Sequence, residues 1–234
     1  AIEKDKRVDG RKMDEVRDLH AEAGLFKRVH GSALFCRGET QVLAMTTLAT
    51  PEGKQLVENM EGTVKKRFML NYNFPGFATG ETGRSNRGPG RREIGHGALA
   101  AKAVAAMLPS EEEFPYAIRV VAETLSSNGS SSMASTCATS LSLMDAGIPL
   151  KKQVSGISIG LMSDESGRYK LLTDIQGPED YYGDMDFKVA GTRDGINAVQ
   201  MDVKVDGITL QIFKEALQAA KKARFQILDV MDKT

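Results

Sequence analysis

Residues Met133–Ala146, MASTCATSLSLMDA, limit the possible folds more than any other segment. Alanine, serine and threonine are interspersed with leucine and methionine, and the run ends at Gly147 just before Pro149. Small side chains let a helix axis come close to its neighbour, and Gly followed by Pro is a helix stop, so a helix packed tightly on a β-sheet is predicted. Strand-like segments lie on both sides of it. Leu25–Arg37 and Gln41–Ala49 are β-rich and joined by a turn at Gly38; Phe68–Phe74 alternates apolar and polar residues, and Ala117–Leu125 is a further strand. After the helix come Gly156–Met162, Tyr169–Asp174, Asp184–Val189 and Ala198–Val205. Two other helices are predicted, Glu93–Leu108 ending before Pro109 and an amphipathic Leu210–Met231. Strands followed by a helix thus occur roughly twice. The expectation is an α/β fold of two βαβα-like halves, read as a single core domain over residues 1–234.

Composition acts here by exclusion. The 31 basic and 31 acidic side chains balance to zero, so bulk charge does not hold this chain to nucleic acid, and a phosphate-rich partner needs a local arginine patch. Two cysteines, Cys36 and Cys137, have no CxxC spacing, which argues against a disulfide framework or zinc site and for a reducing, cytoplasmic compartment. The polar start AIEKDKRVDGR shows no secretory signal, and no apolar run approaches the roughly 20 residues of a membrane span, so no membrane partner is expected. Three histidines and no GxSxG leave a Ser-His-Asp hydrolase poorly supported.

Three segments carry chemistry. In Gly80–Ala98, GETGRSNRGPGRREIGHGA, the arginines Arg84, Arg87, Arg91 and Arg92 lie among glycines and run into a predicted helix. Guanidinium forks and a helix N-terminus both suit phosphate, although a solvated loop explains the segment equally well. Ser127-Asn128-Gly129-Ser130-Ser131-Ser132 stands just ahead of the small-residue helix. One serine suffices as an N-cap, while three with free N–H groups form an oxyanion site, and the two readings weigh about the same. In Asp180–Lys188, DYYGDMDFK, a strand over Asp184–Val189 puts Asp184, Asp186 and Lys188 on one face and Met185 and Phe187 on the core side, with Asp180 on the preceding loop. Gathered carboxylates suit Mg²⁺, and a lysine offsets charge on a reacting phosphate. Taken alone this is better read as a solvated face, because Met201-Asp202-Val203-Lys204 repeats the pattern. Together the three segments converge on phosphoryl transfer, which needs positioning and electrostatics and no protein nucleophile.

The blocks RVDGR (Arg7–Arg11), HGSALFCRGETQV (His30–Val42), GRREIGHGALA (Gly90–Ala100), SNGSSSMAS (Ser127–Ser135) and GDMDFKVAGTRDG (Gly183–Gly195) closely resemble the polynucleotide phosphorylase family, in its second ribonuclease PH-like core domain. LPSEEEFPYAIRVV (Leu108–Val121) and LMDAGIP (Leu143–Pro149) extend the resemblance over nearly the whole chain. It implies the ribonuclease PH fold of the ribosomal S5 domain 2-like group. It also implies a reversible 3′-to-5′ phosphorolytic exoribonuclease, a polyribonucleotide nucleotidyltransferase: inorganic phosphate attacks the last phosphodiester of an RNA 3′ end and a nucleoside diphosphate leaves. By the same resemblance Ser131 and Ser132 bind phosphate, and Arg91 and Arg92, with His96 nearby, contact phosphate or the RNA 3′ end. Asp180, Asp186 and Lys188 are the catalytic set, the aspartates holding Mg²⁺ or Mn²⁺; Asp184 has no direct role. The family works as a ring, so a homo-oligomeric trimer or hexamer, or assembly with a first core domain, is implied. That first core, a helical segment and KH-type and OB-type modules have no counterpart in this sequence, so the chain is expected to be one core of a longer enzyme. Free-standing ribonuclease PH and a non-catalytic RNA-binding ring subunit are the alternatives.

Overall fold

Every residue from Ser131 to Leu143 of the small-residue helix is buried, which puts that helix at the centre of the molecule. The computed structural model describes residues 2–60, 62–82 and 88–234. The arginines Arg84 and Arg87 of the glycine-rich run lie outside the described residues.

The first half holds β1 (Leu19–Ala23), β2 (Gly31–Arg37), β3 (Thr40–Ala49), β4 (Gln55–Asn59), β5 (Gly62–Lys66), β6 (Phe68–Asn73), α1 (Arg91–Ala105), β7 (Ala117–Ser126) and α2 (Ser131–Asp145). The second half holds β8 (Ser155–Ser163), β9 (Tyr169–Thr173), α3 (Gly177–Tyr182), β10 (Met185–Gly191), β11 (Ile196–Val203) and α4 (Leu210–Met231). One sheet has the order β1-β2-β3-β7-β6 and the other β11-β10-β8-β9, while β4 and β5 form a separate hairpin. Both halves run strand, helix, strand, helix. Only the first closes a parallel pair, β6 with β7 through the α1 crossover; the second sheet is antiparallel throughout.

Two glycines explain how α2 fits between the sheets. A Cβ on Gly31 of β2 would stand 2.2 Å from the Ser142 carbonyl oxygen, and one on Gly156 of β8 would stand 2.7 Å from Met133 Sδ. Backbone leaves no room for a side chain at Gly31, and the Met133 side chain fills the space at Gly156. A continuous apolar cluster joins both sheets through α2 and runs on to α4. On the far side of the second sheet Phe187 packs against Phe213 of α4, with ring centroids 5.4 Å apart.

Several boundaries differ from the sequence-based expectation. Leu25–His30 is turn rather than strand, so β2 starts at Gly31. The α1 helix begins at Arg91 and stops at Ala105. Asp180 sits on the short helix α3 rather than on a loop, and Asp184 precedes β10, where its carboxylate accepts hydrogen bonds from Ser163 N and Oγ at 2.6 and 2.7 Å. Among the described residues no helix is long and apolar enough to cross a membrane.

Candidate active site

Within β10 the sequence Met-Asp-Phe-Lys-Val sends alternate side chains to opposite faces. Met185, Phe187 and Val189 enter the apolar core, and Asp186 and Lys188 face the N-terminal end of α2. On the β8 side the cross-strand neighbours are small: Asp186 pairs with Gly160, Lys188 with Ser158 and Ala190 with Gly156. The space they leave lets two charged side chains lie at only 7% exposure each. Lys188 Nζ stands 2.6 Å from Asp186 Oδ2. Burial raises the Asp186 carboxyl above its ordinary range, against the pull of Lys188. The other oxygen, Oδ1, is buried without a hydrogen-bond partner among the described residues.

Opposite this pair the serine run opens α2. Ser130 takes the N-cap position in left-handed conformation, φ 53°, and its side chain makes no capping bond. Among the described residues Ser130 Oγ and Ser132 Oγ have no partners, while Ser131 Oγ lies 2.7 Å from the Tyr72 hydroxyl. Capping therefore does not account for the three serines. Amide groups of the first helical turn have no intrahelical acceptor and carry the positive end of the dipole.

A cavity of about 400 Å³ brings these parts together, with Ser131, Asp180, Asp186, Lys188, Arg92 and His96 on its wall. Asp180 arrives on α3, whose first residue Gly177 donates its N–H to Asn128 Oδ1 at 3.1 Å. Arg92 projects from the first turn of α1, and His96 follows one turn later. Burial first, then Lys188 and Arg92, press the His96 imidazole down to about 4, so it is neutral near pH 7. Ser132 is fully buried behind the wall, and Arg91 is exposed at the helix start and does not line the cavity.

Tyr72 is the residue that sequence reasoning missed. It lies on β6 at 4% exposure, with its hydroxyl 2.7 Å from Ser131 Oγ and 3.4 Å from His96 Nδ1. Its place in the alternating FMLNYNF run reads as core packing. The available signal was that a buried tyrosine hydroxyl needs a partner.

The arrangement can hold a tetrahedral anion at the α2 N-terminus, with a carboxylate pair and two cations facing it. Residues 15–149 match the family model described as "3' exoribonuclease family, domain 1". Polyribonucleotide nucleotidyltransferases are similar over the full chain: that of Dehalococcoides mccartyi is 60% identical over 99% of this chain, and that of Streptococcus pneumoniae 60% identical over 100%. The protein from Dictyoglomus thermophilum is 58% identical over 100% of the chain. This chain spans about a third (32–33%) of the length of these relatives. Rice (Oryza sativa) Rrp46 superposes with a TM-score of 0.75 at 19% identity, covering 97% of this chain and 98% of that one, a likeness of fold. With more than half of its length inside the family model and the ribonuclease PH-like α/β architecture around it, the chain belongs to the 3′ exoribonuclease family of RNase PH type.

Proposed function

We propose that this chain carries the phosphorolytic centre of a polyribonucleotide nucleotidyltransferase, acting on the 3′ end of RNA with inorganic phosphate. The observation behind this reading is that the α2 N-terminus and the buried Asp186–Lys188 pair open on one cavity, with Arg92 also on its wall. Ser131, with the first amides of α2 including that of Ser132, takes the attacking phosphate. Arg92 and His96 hold the phosphates and ribose of the last nucleotide, and Arg91 reaches the strand beyond. A neutral His96 can donate or accept one hydrogen bond without adding charge.

Asp180 and Asp186 are the groups that would hold Mg²⁺ or Mn²⁺. The orphaned Asp186 Oδ1 fits a cation. No group of three or more His, Cys, Asp or Glu residues is placed to hold a metal among the described residues. That suits an ion bound by one or two carboxylates plus water and substrate oxygens. When bound, the ion would neutralise charge on the reacting phosphoryl group. Lys188, held by Asp186, does the same from the protein side. In the reaction an oxygen of inorganic phosphate forms a bond to the terminal phosphorus, the P–O3′ bond breaks, and a proton ends on the 3′ oxygen. The products are a nucleoside diphosphate and RNA shorter by one residue; the reverse direction extends RNA.

The reading includes a cytoplasmic setting and a ring assembly, either of this chain as a trimer or hexamer or with a first core domain. Incubation with poly(A), Mg²⁺ and inorganic phosphate is expected to release ADP in proportion to phosphate, and Asp186→Asn to abolish it. AMP formed without phosphate overturns the proposal.

A further inference from the structure

The motif RVDGR has no part in the cavity, yet its arginines are buried or half-buried and run to the far half of the chain. Arg7 makes two bonds to Glu179, at 2.8 and 2.6 Å, and donates to the carbonyls of Thr173 and Asp174 at 2.6 and 2.9 Å. Glu179 closes the first turn of α3 by accepting from Gln176 N at 3.1 Å, and Asp180 is the next residue. Asp174 is fully buried in left-handed conformation, φ 59°. It accepts from Arg17 Nε at 2.8 Å and Nη2 at 2.9 Å, and Arg37 Nε stands 2.7 Å from Oδ1 as an oblique ion pair. Burial works against the Asp174 charge, but Arg37 and Arg17 outweigh it and keep the carboxyl below its usual range.

The same two arginines hold the serine loop. Arg17 Nη1 donates to the Asn128 carbonyl at 2.6 Å, and Arg37 Nη2 donates to the Ser130 carbonyl at 3.0 Å. Thr40 Oγ1 accepts from Asn128 N at 3.0 Å and donates to the Gly129 carbonyl at 3.1 Å. Asn128 then crosses the gap: its Oδ1 accepts from Gly177 N, and its Nδ2 donates to Gln176 Oε1 at 3.1 Å and Glu39 Oε2 at 2.8 Å. The loops are so close that a Cβ on Gly129 would lie 2.8 Å from Gln176 Cα. Ser130 and Asp174, strained in the same way, stand on opposite sides of this contact.

We propose that Asn128, backed by Thr40 and the Asp174–Arg17–Arg37 cluster, is a positioning residue. It sets one spacing between the serine loop and the helix carrying Asp180. Phosphate and metal thereby meet at a distance defined by the protein rather than by each other. The inference rests on the phosphate-and-metal reading of the cavity.

Calorimetric titration of inorganic phosphate into the Mn²⁺-loaded protein tests it, with Mn²⁺ binding in the absence of phosphate followed by electron paramagnetic resonance. Asn128→Ala is expected to weaken phosphate about tenfold, a typical coupling between linked sites, and to leave Mn²⁺ alone and the melting temperature nearly unchanged. Thr40→Val is expected to act in the same direction and Thr40→Ser, which keeps the hydroxyl, to restore binding. Unchanged phosphate affinity in Asn128→Ala, or equal losses in Thr40→Val and Thr40→Ser, overturns the positioning role. If the unsubstituted protein binds phosphate but forms no ADP, the phosphorolytic reading fails, while the positioning role stands provided Asn128→Ala still weakens phosphate.

Discussion

At the residue scale, the most informative side chain is Tyr72, whose single hydroxyl connects Ser131 with His96. Tyr72→Phe keeps the ring and its packing and removes only that connection. A net hydrogen bond contributes about 1 kcal/mol, so KM for phosphate is expected to rise roughly fivefold with a small fall in melting temperature. Steady-state kinetics beside thermal denaturation will check this; a large melting shift with constant KM would make Tyr72 a packing residue only. His96 gives a pH prediction. Its folded value of about 4 lies below the ordinary 6.5, so the unfolded chain binds the proton more readily between those values. Its contribution to stability is therefore complete above about pH 6.5 and is lost as pH falls toward 4. An NMR titration of the imidazole is expected to show no midpoint near 6.5 for this residue. The sequence could name His96 and the serines but not their surroundings. Whether Met-Asp-Phe-Lys and Met-Asp-Val-Lys line the cavity or form a solvated face is decided by place in the sheet: β10 is central and wholly buried, β11 is an edge and mostly exposed.

At the scale of elements, periodicity marked what is amphipathic or evenly buried and missed what is neither. The bounds Leu210–Met231 agree for α4, because its apolar stripe is long and Thr209 caps it by accepting from Ile212 N. The strand Leu19–Ala23 was invisible because LHAEA is an edge with no fully buried side chain. The β4–β5 hairpin is hard to read for the same reason: β5 is exposed along its length, and its pattern reflects no core. Helix α3 is six residues long and depends on a box between Gln176 and Glu179, a signal too short for periodicity. The position of α2 yields the prediction proper to this scale. Gly31→Ala would drive a methyl group into the backbone around Ser142 and Ala146, and neither the helix nor the sheet can give way. The expected loss is about 3 kcal/mol, from overpacking against main chain, with a clearly lowered midpoint in urea. Unchanged stability would mean that α2 is free to shift, contrary to its burial.

At the scale of the whole molecule, the two sheets share one core, yet the loops around the cavity are held by bonds between residues 7–17 and residues 174–179. Arg7 and Arg17 lie 172 and 157 positions from Glu179 and Asp174, their partners. Contacts of that separation form late, because a long loop must close before they can. The local pieces, β2–β3 and the α4 helix, need no such closure. Folding and competence are therefore expected to be separate events in time. After dilution from urea, circular dichroism is expected to recover in an early phase, and phosphate binding only in the slowest one. Simultaneous recovery would show that the long-range arginine contacts form together with the rest of the fold. A chain still emerging from the ribosome carries the serines and can build much of the first sheet before residue 174 exists. It has no working cradle for an anion until the second half arrives and the earliest arginines find it. Phosphate capture would then report that synthesis has passed β10, the strand that carries Asp186 and Lys188.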